Sequence, residues 1–455
     1  MKKVFLRTFG CQANFYDSAR IKDLFLAGGY EITENLHEAD VFVLNTCHVR
    51  EKSGEKVFSE LGRVQDIKKT KISKGQRMVI VVTGCVAKVE GGNIFRRIPM
   101  VDVVLDTENY HRICQFVNEI FASGEDGKND KLLFVDNFPK DKKFALLPPH
   151  RTVTDVSEMV IVQDGCDKFC SYCSVPFSRG REYSRPVESV LEEINYLVDQ
   201  GVKEITLLGQ NVDNYNGSDR TGRSTPLSEL LYKVNNIGAI ERIRYLTSYP
   251  SQFGNNMVKA HQSLPKLMPL VYLPVQSGSN SILRAMNRNY GREQYLDLIR
   301  KIRDNVRGIA FSSDFIVGFP GETDSDFEDT LELVEKIGYA LTFSFKYSLR
   351  PNTAAARMPN QIPEDTKAAR LEKLQALLNR QQLDFNSSSV GKIVDVLVEN
   401  SLLNSEKNMF FGRTPHYQPV LFSTSGLKVK AGSIVAVKIE TANLRTLRGK
   451  LIHDQ

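Results

Sequence analysis

Six of the seven cysteines form two sets, and each set has a spacing that suits metal chemistry. Cys166, Cys170 and Cys173 make a C-x3-C-x2-C run in Gly165-Cys-Asp-Lys-Phe-Cys-Ser-Tyr-Cys, directly after a strand-like stretch at 159–162. Three thiolates on one tight loop can hold three irons of a 4Fe-4S cube and leave the fourth iron open to an outside ligand. The competing assignments are a zinc site and a closed cluster, and both need a fourth protein ligand. After Cys173 the next Cys or His is His261.

Cys11, Cys47 and Cys85 are far apart, yet each stands just past a strand-like run: Thr8-Phe9-Gly10-Cys11, Leu44-Asn45-Thr46-Cys47 and Val82-Thr83-Gly84-Cys85. In a parallel sheet, the loops leaving the strands open at one edge, where ligands of α/β folds gather. The three thiols are therefore expected to converge and to hold a second cluster with an open iron; the plain alternative is three buried small hydrophobes. Cys114 sits in an amphipathic stretch at 113–120 and reads as a core residue. His48, beside Cys47, reads as a spectator or hydrogen-bond partner.

The elements that must place these residues alternate in type. Apolar, β-branched runs at 4–6, 41–44 and 78–82 are separated by helical spacing at 17–26 and 51–61, with Asp17 and Ser18 suiting a helix start and Gly28-Gly29 a stop. This pattern predicts a parallel sheet with right-handed crossovers. The polar and Pro-Pro-containing stretch at 119–152 reads as a linker. A second alternation follows, with strands at 159–162, 204–208, 243–246, 270–275, 311–317 and 343–347 and helices including 187–200, 292–306 and 324–337. Six such units predict a partial (βα)6 TIM-like barrel. A polar helix at 364–385 then leads to short alternating strands such as 393–398 and 434–439, which predict a small β-barrel. The expected architecture is α/β and multidomain, with units at 1–118, 153–384 and 387–455 joined by the linker 119–152.

The totals agree with an enzyme-sized globular chain. At 455 residues, 41% hydrophobic and 25% charged, it has room for two or three domains, and its composition excludes a disordered or fibrous class. The apolar run before Arg7 is too short for an export signal, and no stretch reads as membrane-bound. Cysteines in such a chain imply a reducing, cytoplasmic setting, in which clustered thiols are ligands rather than disulfides. The net charge of +6 permits nucleic-acid binding without requiring it.

Taken together, the chain resembles the methylthiotransferase family of the radical S-adenosylmethionine (SAM) superfamily. The resemblance rests on Gly10-Cys-Gln-Ala-Asn-Phe-Tyr-Asp-Ser, Asn45-Thr-Cys-His-Val-Arg-Glu-Lys, Gly84-Cys-Val-Ala-Lys-Val-Glu-Gly and the cysteine loop with Tyr172 and the following Ser-Val-Pro-Phe-Ser-Arg-Gly-Arg-Glu. It continues in Leu208-Gly-Gln-Asn-Val, Leu273-Pro-Val-Gln-Ser-Gly-Ser and Asp314-Phe-Ile-Val-Gly-Phe-Pro-Gly-Glu-Thr. It implies two 4Fe-4S clusters, an auxiliary one on Cys11, Cys47 and Cys85 and a radical SAM one on Cys166, Cys170 and Cys173. One SAM would give a methyl group to sulfur on the first; a second, cleaved on the other, would make the radical that takes hydrogen from adenine C2. The implied reaction converts N6-(dimethylallyl)adenosine, next to the anticodon of tRNA, to its 2-methylthio derivative. No protein acid or base is implied. By the same analogy Tyr172 lies near the SAM adenine, and Gln210, Asn211, Gln276 and Asp314 line the barrel mouth.

The implied partners are a tRNA carrying N6-isopentenyladenosine, an electron donor of flavodoxin or ferredoxin type and a sulfur source. The C-terminal part resembles a TRAM domain, an OB-like RNA-binding barrel. From Val390 onward it has nine Lys or Arg against five Asp or Glu, with Phe411 and Tyr417 beside Arg413, which suits phosphate attraction and base stacking. Three positions depart from the family pattern: Ala13 for methionine, Tyr249 for histidine and Asn352 for glycine. The rival assignments are the relatives acting on threonylcarbamoyladenosine tRNA or on a ribosomal-protein aspartate and, in another class, a non-catalytic zinc-containing RNA-binding protein.

Overall fold

The computed structural model describes residues 1–47, 51–123, 131–136, 138–401, 409–424 and 427–452, with the backbone alone for 51–55 and 401. His48 and, from the C-terminal charge excess, Glu406, Lys407 and Asp454 lie outside the described residues.

The chain opens with β1 (Lys3–Phe9), α1 (Gln12–Ala27), β2 (Glu31–Ile32), β3 (Val41–Thr46), α2 (Glu51–Ile72), β4 (Val79–Gly84), α3 (Cys85–Glu90), β5 (Val103–Leu105) and β6 (Leu132–Phe134). These strands form one parallel sheet in the order β2-β1-β3-β4-β5-β6. β3 and β4 are buried at every position, because a parallel sheet is covered on both faces. Ile21, Phe25, Ile113 and Phe116 cover one face; Val57, Leu61 and Val64 of α2 cover the other. β6 falls in the stretch read as linker and pairs with β5.

α1 begins at Gln12, ahead of the start signal read at Asp17 and Ser18. Both residues are buried within the helix and bind tertiary partners instead of capping it. The Ser18 hydroxyl meets Thr8 Oγ1 at 2.6 Å and accepts from Asn45 Nδ2 at 2.8 Å. The earlier start makes Cys11 the residue that precedes the helix.

The second unit contains β7 (Ser157–Ile161), the paired β8 (Gln163–Asp164) and β9 (Tyr183–Ser184), β10 (Glu204–Leu208), the hairpin of β11 (Asn216–Ser218) and β12 (Ser224–Pro226), β13 (Arg242–Leu246), β14 (Leu270–Tyr272), β15 (Ala310–Val317) and β16 (Leu341–Lys346). Two parallel ladders, β7-β10-β13 and β14-β15-β16, follow one another, joined by a parallel bridge between Ile243 and Leu267. The result is the expected six-stranded partial barrel. Val160, Leu207, Tyr245 and Phe315 pack outward into the main core, while their neighbours Ile161 and Leu208 pack with Ala13 and Tyr16 of α1. Tyr16 donates to Glu193 at 3.2 Å, and Glu193 also accepts from Arg151 (3.1 Å) and Arg185 (2.6 Å).

A 24-residue helix, Glu364–Ser387, leads to β17 (Ile393–Ser401), β18 (Met409–Arg413), β19 (Pro419–Ser423), β20 (Ile434–Ala442) and β21 (Leu447–Leu451), a closed barrel in the order β17-β18-β19-β21-β20. It docks where the large barrel's strands begin. Buried Arg242, first residue of β13, donates to the carbonyls of Arg413 (2.6 Å) and Asp395 (3.0 Å), and Arg244 donates to that of Thr414 (3.2 Å). The ends where strands finish are left for the cysteine loops. Among the described residues, no helix is long and apolar enough to cross a membrane.

Candidate functional site

Adjacent strands β1, β3 and β4 deliver the first cysteine trio. Cys11 precedes α1, Cys47 follows β3 with its N–H bonded to the Phe9 carbonyl (2.9 Å), and Cys85 opens α3. The three thiols meet: Cys47 is in hydrogen-bond contact with both Cys11 and Cys85. The contact with Cys47 pulls the Cys11 thiol down to about 6, with help from the Arg179 guanidinium and against the effect of burial. Cys85 is lowered for the same reasons, while its two sulfur neighbours push Cys47 well up.

Two asparagines fix these loops. Asn14 Nδ2 donates to Asn45 Oδ1 (3.1 Å), Asn45 Nδ2 donates to the Asn14 carbonyl (2.8 Å), and Asn14 Oδ1 accepts from the Cys11 thiol (3.2 Å). Gly84 has φ +93°, and a Cβ there would collide with the Thr46 carbonyl and the Asn45 side chain. Gly84→Ala should therefore cost about 1–3 kcal/mol of strain and displace Cys85. Thermal melting should report the strain.

The second trio lies on the loop after β8. Gly165, at φ +85°, lets this loop pass the Arg181 carbonyl, and Gln210 Oε1 accepts from its N–H at 2.6 Å. Residues 285–288 hold the loop from the other side. Ser171 Oγ donates to the Ala285 carbonyl (2.7 Å) and Asn287 Nδ2 to that of Phe169 (3.0 Å). Arg288 Nη1 and the Val175 N–H donate to the sulfurs of Cys170 and Cys173, each at 3.5 Å. Burial raises Cys166 to about 11 and Cys173 to about 12, so both thiols are neutral until a metal replaces the proton.

This donor set fits an iron-sulfur cluster: three free thiols on one loop, with N–H groups aimed at two of the sulfurs, hydrogen bonds of the kind that tune such clusters. Among the described residues, no three His, Cys, Asp or Glu groups close around a single metal ion. Cys114 belongs to neither site. It donates to the Leu24 carbonyl at 3.3 Å, and burial raises it to about 12.

The residues expected around SAM are distributed over the mouth. Tyr172 packs with Ile282, Met286, Phe319 and Tyr347. Gln210 binds the Gly165 N–H, and Asn211 donates to Gln252 Oε1 (2.8 Å) while its buried Oδ1 has no hydrogen-bond partner among the described residues. Gln276 takes a left-handed φ of +76° between two bonds to β15, and Asp314 accepts from Tyr272 Oη at 2.5 Å. Tyr249 packs under Arg288, 4.3 Å from guanidinium to ring centre, and so supports the cysteine loop. Asn352 has φ +67°, the conformation that the usual glycine would take. Of the residues expected to meet RNA, Arg413 pairs with Glu399 (3.1 Å) and lies 5.4 Å from the Phe411 ring. Tyr417 is flanked by Arg413 and Arg244, at 4.5 and 4.7 Å; all three expected residues are half-buried, Arg413 and Tyr417 at the seam with the large barrel.

Asp213, just past β10, accepts from Ser248 Oγ and the Tyr249 N–H, both at 2.9 Å. Burial nevertheless raises its carboxyl from 3.8 to about 7. The folded state thus holds this proton more tightly than the unfolded chain, and the stability it contributes is lost as pH rises from 3.8 to about 7. Asp213→Asn should remove that component, so the melting temperature of the variant falls less than that of the parent between about pH 5 and about pH 8.

Reasoning from sequence missed Asp17, Arg179, Lys140 and Lys143, which lie between the trios. Arg179 stands in the quoted Ser-Arg-Gly-Arg stretch, but nothing local marks its partner, Asp17, 162 positions away.

Residues 160–334 match the radical SAM superfamily, residues 3–106 the uncharacterized protein family UPF0004 and residues 387–452 the TRAM domain. In overall fold the chain is similar to TsrM, a radical SAM methyltransferase from Kitasatospora setae (TM-score 0.55, 14% identity, 78% of this chain and 77% of that one). It is also similar to the cobalamin-dependent radical SAM enzyme OxsB (TM-score 0.53, 12% identity, 84% and 56%). The superfamily carries SAM and a 4Fe-4S cluster, which the trio Cys166, Cys170 and Cys173 suits. The tRNA-2-methylthio-N(6)-dimethylallyladenosine synthase of Agrobacterium fabrum is 46% identical over 450 residues, 98% of this chain and 96% of that protein. The enzyme of that name from Rickettsia rickettsii (strain Sheila Smith) is 45% identical over 452 residues, 99% and 100%. On that similarity the chain belongs to the tRNA-2-methylthio-N(6)-dimethylallyladenosine synthase family of radical SAM enzymes.

Proposed function

We propose that the protein is a tRNA methylthiotransferase that converts N6-(dimethylallyl)adenosine next to the anticodon to 2-methylthio-N6-(dimethylallyl)adenosine. The observation that carries this reading is the meeting of Cys11, Cys47 and Cys85 on an edge tied through Arg179 to the loop of Cys166, Cys170 and Cys173. We assign one 4Fe-4S cluster to each trio, the N-terminal one being the second cluster. When bound, the clusters supply the electron that cleaves SAM and the sulfur that is methylated and transferred.

The chain's own residues do the positioning. Arg288 and Val175 hold the sulfurs of Cys170 and Cys173, and Gln210 holds Gly165 ahead of Cys166. Tyr172, Gln210, Asn211, Gln276 and Asp314 are the proposed surroundings of SAM. Phe411, Arg413 and Tyr417 are the proposed RNA contacts, through the edges that the seam leaves exposed. The remaining partners are a flavodoxin- or ferredoxin-type electron donor and a source of sulfur.

Mass spectrometry of tRNA nucleosides from a deletion strain tests the reading. The expected result is loss of the methylthio group with the dimethylallyl group retained. Normal 2-methylthio-N6-(dimethylallyl)adenosine, with loss instead from threonylcarbamoyladenosine or a ribosomal protein, would overturn it.

A further inference from the structure

Between the two cysteine trios lies a buried set of charges, with Arg179 at its centre. Arg179 directly follows the short helix Val175–Ser178, which begins two residues after Cys173, and it is 2% exposed. Its Nη2 donates to Asp17 Oδ2 at 2.6 Å and its Nη1 to Asp164 Oδ1 at 3.0 Å. Asp17 lies on α1, the helix that Cys11 precedes; Asp164 stands two residues before Cys166. One guanidinium thus grips the element behind each trio.

The arrangement is reinforced from the 119–152 stretch. Helix Lys140–Ala145 inserts Lys143, which is fully buried and donates to Asp164 Oδ2 (3.1 Å) and the Thr107 carbonyl (3.2 Å). Lys140 donates to the Asp164 carbonyl at 3.0 Å. Thr107 Oγ1 in turn donates to the Ser178 carbonyl (3.3 Å), beside Arg179. Arg179 holds Asp17, six residues along from Cys11 on the helix that Cys11 precedes, so its charge is brought up to the N-terminal trio. In a water-poor interior that charge is weakly screened.

We propose that Arg179 is a positioning residue that raises the electron affinity of a cluster on Cys11, Cys47 and Cys85 and ties it, through Asp164, to the loop of Cys166. The proposal rests on the second-cluster reading above. Reduction adds negative charge to a cluster, and a fixed cation nearby stabilises the reduced form. Asp17, in the same pair, acts with the opposite sign.

The test is an anaerobic redox titration of the full-length, reconstituted protein followed by electron paramagnetic resonance. The variants are Arg179→Met, Arg179→Lys and Asp17→Asn. Arg179→Met should move one of two transitions to lower potential, Asp17→Asn should move that same transition to higher potential, and Arg179→Lys should restore most of the parent value. A residue that merely holds the domains together would not give shifts of opposite sign. Should Arg179→Met fail to fold, Arg179→Lys and Asp17→Asn decide the matter. With about eight irons bound per chain, unchanged potentials or same-direction shifts overturn the proposal. A parent protein that holds only about four irons overturns the second-cluster reading instead, and the proposal with it.

Discussion

Alanine at Cys166, Cys170 and Cys173 together abolishes both 5′-deoxyadenosine formation and tRNA methylthiolation, whereas alanine at Cys11, Cys47 and Cys85 together abolishes only the second. The two outcomes separate because the trios belong to different elements. The trio of Cys166, Cys170 and Cys173 sits on one loop held by residues 285–288, and that hold does not pass through the N-terminal sheet. The trio of Cys11, Cys47 and Cys85 depends on the ends of β1, β3 and β4. Both products fall to background in the first variant. In the second, 5′-deoxyadenosine continues near the parent rate while the methylthio nucleoside is absent by mass spectrometry. Parallel loss of both products in both variants would refute the division of labour.

Glu193→Ala has the largest expected effect on stability. Its carboxylate is shared by Arg151, Arg185 and Tyr16, so its removal leaves two buried guanidinium groups with less compensation and loosens the contact of α1 with the barrel. Removing one partner of a buried ion pair costs about 3–5 kcal/mol. Burial alone would raise the Glu193 carboxyl, but Arg185 and Arg151 outweigh it and hold it below the ordinary carboxylate value. Its contribution is therefore present above that ordinary value and lost as pH falls through the depressed one. Urea denaturation at neutral pH should show the full deficit, and the gap between parent and variant should close on acidification.

Much of this architecture is legible in the sequence, because a parallel strand buried on both faces is written as an unbroken apolar run. β3 (VFVLNT) and β4 (VIVVTG) announce themselves in this way, and so do their ends, where Cys47 and Cys85 follow. β6 does not: three residues after a polar stretch carry too little pattern to outweigh a linker composition. The start of α1 is hidden for a different reason. Asp17 and Ser18 are chemically suited to a cap, and only the folded chain shows that one binds Arg179 and the other Asn45. Gln210 stands at the expected strand end, yet it binds the backbone of the cysteine loop. Arg413 and Tyr417 illustrate the limit of charge counting, since Arg413 pairs with Glu399 from another strand and Tyr417 lies against Arg244 from another unit.

The buried pairs of Arg179 and Glu193 also separate two responses to ionic strength. Added electrolyte barely weakens charges removed from water but steadily weakens contacts with RNA phosphates. Concentrated potassium chloride should therefore strip the nucleic acid from the enzyme while the joint between its N-terminal sheet and its large barrel stays closed.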